Sequence, residues 1–465
     1  MEDLKNKKVL IIGLARSGLA AARFAAERGA KVIVSDSKPE KQLKEQVQFL
    51  KDLNLEFSLG KNDQSLMTKA DLIVASPGVP LNLAGLDQAR AKGIPIVSEM
   101  ELALNEINKP IIAITGTNGK TTTTSLIGHV LHQSGLKVCV AGNIGQALSG
   151  MVKEANAADW VVLEVSSFQL ETTPSLAPQI AILLNVTADH LDRHGNLEKY
   201  LQAKLKIFAN LKPNGFGVYN AEIACQPSVA CHSRESGDPT LDLCLRRDDK
   251  HRNYIAFNAK NDFQQGNLIT RIKEYGEKSW SLAEVNLFGA HNYENLLAAI
   301  IASQLVGLED QTIAQGLKTF KGLPHRLELV GEQNGVRYFN DSKGTNVGAT
   351  IAALENFQNV ILIAGGQGKG GDFLDLAAVI SQRVKKMILI GETKQQIAEQ
   401  LGKLTDTVFA DNLEQAVKLA HHSAGNSDVV LLSPACASFD MFKDYVERGD
   451  VFKKEVSKYL TKDCH

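Results

Sequence analysis

Neither sign of charge is in excess in these 465 residues: 51 lysines and arginines stand against 52 aspartates and glutamates. Without a basic surplus, nucleic acid and anionic membrane surfaces are not the expected partners. Long apolar runs are missing as well, and no stretch reaches the roughly 18 uninterrupted apolar residues of a membrane span. The opening "VLIIGLA" follows lysines as a secretion signal would, but Arg16 ends it and its glycines suit a tight turn, so a cytoplasmic protein is expected. Six cysteines (Cys139, Cys225, Cys231, Cys244, Cys436, Cys464) form no CxxC pair and have no histidine at zinc-finger spacing, which favours reduced thiols over a structural metal. No internal repeat or low-complexity tract appears.

What is present is the composition of a globular protein, 44% hydrophobic and 22% charged, in a chain long enough for roughly three domains. Short apolar runs alternate with helix-like stretches from the start: "KVLIIG", then "SGLAAARFAAERG", then "KVIVSD". This βαβ alternation predicts a parallel sheet with helices on its faces. A second series begins after Pro110 with "IIAITG" and continues through "DWVVLEVSS" and "IAILLNVTADH"; a third follows "GLPHRLE" with "VRYFND", "NVILIAGG", "KMILIG" and "DVVLLSPA". The reading is α/β throughout: a Rossmann-like domain over 1–100, a central P-loop ATPase-like domain with a mainly parallel sheet over 101–322, and a Rossmann-like domain over 323–465. Residues 225–250 lack any apolar period and read as an exposed insertion.

Ligands of open α/β sheets bind at the carboxyl ends of the strands, so chemistry is sought there. The strongest signal is "AITGTNGKTTTTSL". The glycine that opens a Walker A motif is replaced by Ile114, yet Gly119, Lys120 and Thr121 keep their register between a strand and a helix. Such a loop (Gly116, Thr117, Asn118, Gly119, Lys120, Thr121, Thr122) wraps phosphates with backbone N–H groups, sets Lys120 against the β and γ oxygens and offers the Thr121 hydroxyl to Mg²⁺. ATP is the expected ligand. Glu164 ends its strand as a candidate Mg²⁺ ligand, and His190 ends the next. Asp189, Asp192 and His194 read equally well as solvated loop residues, and Lys204 reads as an ordinary helix-surface lysine. Asn292 and Asn295 share one helix face, suited either to an adenine edge or to simple capping.

The first unit carries "GLARSG" with Asp36 at the end of the next strand, a dinucleotide-like frame in which Ala15 replaces the second glycine. It suits a less deeply seated diphosphate, or a turn that binds nothing. The third unit gathers His325, Arg326, Asp341, Ser342, Lys343, Thr345, Asn346, Lys369, Ser438 and Phe439 at predicted strand ends, a set suited to a small anionic substrate.

Taken in order, "TGTNGKTT", "EVSSFQLE", "NVTADHLDRH", "GAHNYEN", "GLPHRLE", "NDSKGTN" and "LLSPACASFD" resemble the Mur ligases from about residue 8 to 453. Within that family "SSFQLE" and "SPACASFD" resemble the member that adds D-glutamate. "DNLE" (411–414) lacks the proline and arginine of the diamino-acid-adding sibling, the alternative acceptor class. The resemblance implies an ATP-dependent amide-bond-forming ligase of peptidoglycan synthesis. ATP phosphorylates the carboxylate of UDP-N-acetylmuramoyl-L-alanine, and D-glutamate attacks the acyl phosphate.

It also implies roles residue by residue. Lys120 and Thr121 hold ATP and a first Mg²⁺ with Glu164; His190 and Lys204 surround a second, the lysine carbamylated by CO₂. Asn292 and Asn295 meet adenine, and Arg326 and Asp341 meet the nucleotide from a closing third domain. Lys343, Thr345, Lys369, Ser438, Phe439 and Tyr445 receive D-glutamate. Arg16, Ser17, Asp36, Ser37, Lys38, Ser76, Gly78 and Asn143 face the UDP-sugar substrate. A monomer with small-molecule partners only is expected. An NAD-dependent oxidoreductase built on "GLARSG" is the rival class, and it leaves the phosphate loop unemployed.

Overall fold

The computed structural model describes residues 3–224 except 62 and 188, and 253–460 except 286, 288, 290 and 369–371. The proposed insertion at 225–250 and Lys369 therefore lie outside the described residues, as do Cys225, Cys231, Cys244 and Cys464; Cys139 and Cys436 are buried free thiols. The chain divides into two compact units, residues 1–284 with 294–318, and residues 285–293 with 319–465.

The first unit contains two parallel sheets. One consists of β1 (Lys8–Ile12), β2 (Lys31–Asp36), β3 (Leu55–Leu59), β4 (Leu72–Ala75) and β5 (Ile96–Val97) in the order 3-2-1-4-5. The other consists of β6 (Ile111–Thr115), β7 (Val138–Gly142), β8 (Trp160–Glu164), β9 (Ile180–Leu183), β10 (Phe216–Asn220) and β11 (Asn253–Phe257) in the order 11-10-9-6-8-7. All five residues of β6 and all four of β9 are buried. Their apolar runs are continuous, as expected when helices cover both faces of a parallel sheet. Each fully buried Ile or Leu contributes roughly 1.5–3 kcal/mol to this core. A separate antiparallel sheet of β12 (Phe263–Gln264), β13 (Asn267–Ile272) and β14 (Gly276–Ser281) has no counterpart in the sequence reading.

The second unit carries β15 (Glu328–Gln333), β16 (Val336–Asn340), β17 (Val360–Gly365), β18 (Val384–Ile390), β19 (Asp406–Phe409) and β20 (Val429–Leu432) in the order 15-16-20-17-18-19. It is parallel except for β15, which pairs antiparallel with β16. Among the described residues no helix is long and apolar enough to cross a membrane.

Candidate active site

Strand β6 runs into the loop 116–119 and then into the helix Lys120–Gln133. Gly119 precedes that helix at φ +81°, and a Cβ there would lie 2.1 Å from Asn295 Oδ1, so two separate constraints demand glycine. The first-turn N–H groups of the helix have no intrahelical acceptor and carry the positive end of its dipole, which suits phosphate. The other side of the loop is fastened to the protein. Thr117 N–H donates to the Asn185 carbonyl at 3.0 Å, and Asn118 N–H donates to Asn185 Oδ1 at 2.9 Å. The Thr117 hydroxyl donates to Thr187 O and accepts from its N–H.

Lys120 Nζ folds back onto the carbonyls of Gly116 and Thr117, both at 2.8 Å. Lys204 donates to the same Gly116 carbonyl at 2.8 Å. The helix-surface reading of Lys204 is thus overturned: on the helix Leu197–Leu205 it is only 1% exposed, with Nζ 4.4 Å from the centre of the Tyr200 ring. Burial, reinforced by the neighbouring Lys120 charge, pulls its pKa down to about 6. An amine buried beside a cation is held largely neutral at pH 7.

Glu164 ends β8 and is 2% exposed. Its Oε1 accepts from Asn143 Nδ2 at 2.7 Å, whereas Oε2 is buried with no hydrogen-bond partner. A carboxylate oxygen in that condition suits a cation, since a buried acceptor left unpaired costs about 1–3 kcal/mol or more. Among the described residues no group of three or more His, Cys, Asp or Glu side chains is poised to hold a metal. A Mg²⁺ site here would therefore draw on single carboxylate, hydroxyl and phosphate oxygens.

His190 adopts φ +51°, half exposed beside Asp189 at 3.6 Å and edge-on to Phe168. Asp189 is exposed, as a loop residue, and the Asp192 side chain lies outside the described positions. His194 corrects the solvated-loop reading. It is 6% exposed, stacked on Phe168 and bonded through Nε2 to Ser167 Oγ at 3.1 Å, and burial lowers its pKa. "SSFQ" closes a capping box, Ser166 with Gln169, that sets the adjoining Ser167 and Phe168 in place.

In the first sheet Asp36 accepts Leu14 N–H at 2.7 Å and Lys38 N–H at 2.9 Å, drawing the ends of β1 and β2 together. Gly18 is required there, because a Cβ would lie 1.8 Å from Gly13 O. Ser76 Oγ donates to that same Gly13 carbonyl. Ser37, Lys38 and Gly78 are exposed and Ser17 is half-buried. Arg16 donates to Gly145 O at 2.7 Å and Asn143 O at 3.1 Å, so it braces the loop that holds Glu164.

In the second unit Asp341 is buried, accepting from Ser433 Oγ at 2.7 Å and Leu327 N–H at 3.3 Å. Burial pushes its pKa up to about 7. Arg326 is exposed between two residues of positive φ, His325 and Leu327. Lys343 Nζ lies 3.8 Å from the centre of the Tyr445 ring, while Thr345 is half-buried, Ser438 is buried and Phe439 is 66% exposed. Asn346 is a helix cap, accepting from Ala349 N–H.

Known proteins with this arrangement are readily found. Family profiles described as "Mur ligase MurD-like, N-terminal domain", "Mur ligase middle domain" and "Mur ligase, glutamate ligase domain" match residues 7–98, 114–303 and 325–436. A UDP-N-acetylmuramoylalanine–D-glutamate ligase of Geotalea uraniireducens is 44% identical over 455 residues, 98% of each chain. One from Geotalea daltonii is 43% identical, covering 99% of this chain and all of its own. The chain belongs to the Mur ligase family. Among solved structures, the MurF ligase of Thermotoga maritima in complex with ADP matches 99% of this chain and 100% of its own at TM-score 0.57 and 17% identity. The UDP-N-acetylmuramate–alanine ligase MurC of the same organism matches 98% and 100% at TM-score 0.57 and 19% identity. These two likenesses concern the fold.

Several residues of this Mur ligase escaped the sequence reading. Asn185 and Asn220 stand just past β9 and at the end of β10, where the carboxyl-edge rule that selected Glu164 would also have found them. Arg448 had no local signal. It is 1% exposed and donates to the carbonyls of Ser342, Cys436 and Ala437 and to Ser342 Oγ, so one guanidinium ties "NDSK" to "PACA".

Proposed function

We propose that this Mur ligase joins D-glutamate to UDP-N-acetylmuramoyl-L-alanine at the expense of ATP, giving ADP and phosphate. The observation that carries the reading is a phosphate loop on whose Gly116 carbonyl two lysines converge, in a chain alignable end to end with relatives named for that ligation. A carboxylate is a poor electrophile at neutral pH. Phosphoryl transfer from ATP turns its oxygen into a leaving group; the neutral amine of D-glutamate then forms the C–N bond as the C–O bond to phosphate breaks. Gathering and neutralising anions is the main task of the protein.

Lys120 and the amides around it serve the β and γ phosphates, with Asn292 and Asn295 toward adenine and Arg326 and Asp341 as further ATP contacts. Thr121, Glu164, His190 and Lys204 would hold Mg²⁺, which fits the unpartnered Oε2 of Glu164. Bound there, Mg²⁺ would offset the charge of the phosphate oxygens. Lys204, kept neutral by burial, is in the form that can capture CO₂ as a carbamate and so become an anionic oxygen donor. Arg16, Ser17, Asp36, Ser37, Lys38, Ser76, Gly78 and Asn143 serve the UDP-sugar substrate. Lys343, Thr345, Lys369, Ser438, Phe439 and Tyr445 serve D-glutamate.

The test is phosphate release with ATP, Mg²⁺ and UDP-N-acetylmuramoyl-L-alanine in the presence of D-glutamate, L-alanine, L-lysine or diaminopimelate. Release with D-glutamate alone is expected. Release indifferent to both substrates, or driven by a diamino acid, would overturn the assignment.

A further inference from the structure

Glu294 lies between Asn292 and Asn295 on the helix His291–Val306, and the mechanism above gives it no task. Its carboxylate takes two amide donors: Asn185 Nδ2 reaches Oε2 at 3.2 Å and Asn220 Nδ2 reaches Oε1 at 2.9 Å. A carboxylate can only accept, so each asparagine must turn its NH₂ toward Glu294 and its carbonyl away. The carbonyl of Asn185 then accepts Asn118 N–H in the phosphate loop at 2.9 Å. That of Asn220 accepts Glu222 N–H at 3.0 Å. Reversing the Asn185 amide would point an NH₂ group at the Asn118 N–H, leaving two donors facing each other.

We infer that Glu294 is a positioning residue for ATP: its charge dictates the orientation of the Asn185 side chain, and through it the path of the phosphate loop at Asn118. The next residue acts on the other side of the loop, where Asn295 Oδ1 accepts from the Thr123 hydroxyl at 3.1 Å and confines position 119 to glycine. One turn of helix thereby shapes the loop at Asn118 and at Gly119. The inference rests on the reading that residues 116–122 hold the ATP phosphates.

The decisive variant is Glu294→Gln, which keeps the size of the side chain but introduces an NH₂ group that must face one of the two asparagines. The KM for ATP is expected to rise about tenfold, the scale of one lost hydrogen bond to a charged group. kcat and the KM values of D-glutamate and UDP-N-acetylmuramoyl-L-alanine should stay within about twofold. Asn185→Ala should have the same effect on ATP. The double variant should be no worse than either single one, because the residues act in series. Calorimetric titration with a non-hydrolysable ATP analogue gives the same comparison without turnover. An unchanged KM for ATP in Glu294→Gln, or strictly additive losses in the pair, would overturn the inference. A wild-type enzyme that does not bind the analogue would instead overturn the ATP reading on which it rests.

Discussion

Replacing Lys204 with methionine should abolish ligation yet make the protein more stable. The lysine has a pKa near 10.5 in an unfolded chain and about 6 in the folded one, because its ammonium is buried against the phosphate loop beside Lys120. Between these values the unfolded state holds a proton that the folded state has released, so folding at pH 7 must strip that proton. At roughly 1.36 kcal/mol per pH unit, the interval from pH 7 to 10.5 makes this cost about 5 kcal/mol. Methionine is close in volume and carries no charge. It forfeits the hydrogen bond to Gly116 O, worth about 1 kcal/mol, but that carbonyl keeps Lys120 as a donor.

A net gain of about 1–4 kcal/mol is therefore expected, the range found when buried ionic groups give way to apolar ones. The sign is open to an independent check. A depressed lysine pKa penalises folding fully below about pH 6 and not at all above 10.5, so wild-type stability should rise with pH between them. The advantage of the variant should shrink by about 1.4 kcal/mol per pH unit from pH 7 to 9. Urea unfolding in CO₂-free, chelator-treated buffer measures it, followed by the fluorescence of Trp160 and Trp280, the only tryptophans. A variant less stable than wild type at pH 7, or a stability gap that does not change with pH, would refute the reasoning.

Three further outcomes follow from the same geometry. Lys120→Ala should eliminate phosphate release while the melting temperature stays near that of wild type, since Gly116 O retains Lys204; near-normal turnover would remove Lys120 from the chemistry. Gly119→Ala must adopt φ +81°, at roughly 1–2 kcal/mol, and displace Asn295 from Thr123; at least a tenfold rise in the KM for ATP, on the order of 1.4 kcal/mol, is expected in steady-state assays. Arg448→Met leaves the carbonyls of Ser342 and Cys436 without their buried guanidinium donor, while Ala437 O keeps the Gln367 N–H, so calorimetry should register a loss of about 3 kcal/mol or more, and Arg448→Lys, which lacks the planar fork, should not restore it.

The strand–loop–helix around residue 119 was legible because it depends on local backbone: a buried strand, a left-handed glycine and a helix start are all written within "AITGTNGKTT". The place of Glu164 at the end of a strand was legible from the apolar run before it. Lys204 was not, since a helix can present any of its faces to the interior, and only the resemblance to known ligases singled it out. The reading of His194 stayed open for a related reason, as nothing in "DHLDRH" announces that Phe168 and Tyr200 will enclose it. The antiparallel sheet β12–β14 went unseen because β12 has only two residues and β14, "GEKSWS", buries a single one, so neither carries an apolar run.

By itself, then, the sequence determined the alternating α/β elements, the parallel sheets and the glycine loop between β6 and its helix, all of which follow from apolar period and local turn chemistry. The tertiary structure alone decided which polar groups lose water. Burial on the Gly116 carbonyl turns an ordinary lysine into a neutral amine, burial leaves one oxygen of Glu164 without a partner, and burial makes a single arginine the tie between two loops. Desolvation depends on what other segments bring to a residue, and no window of the chain contains that information.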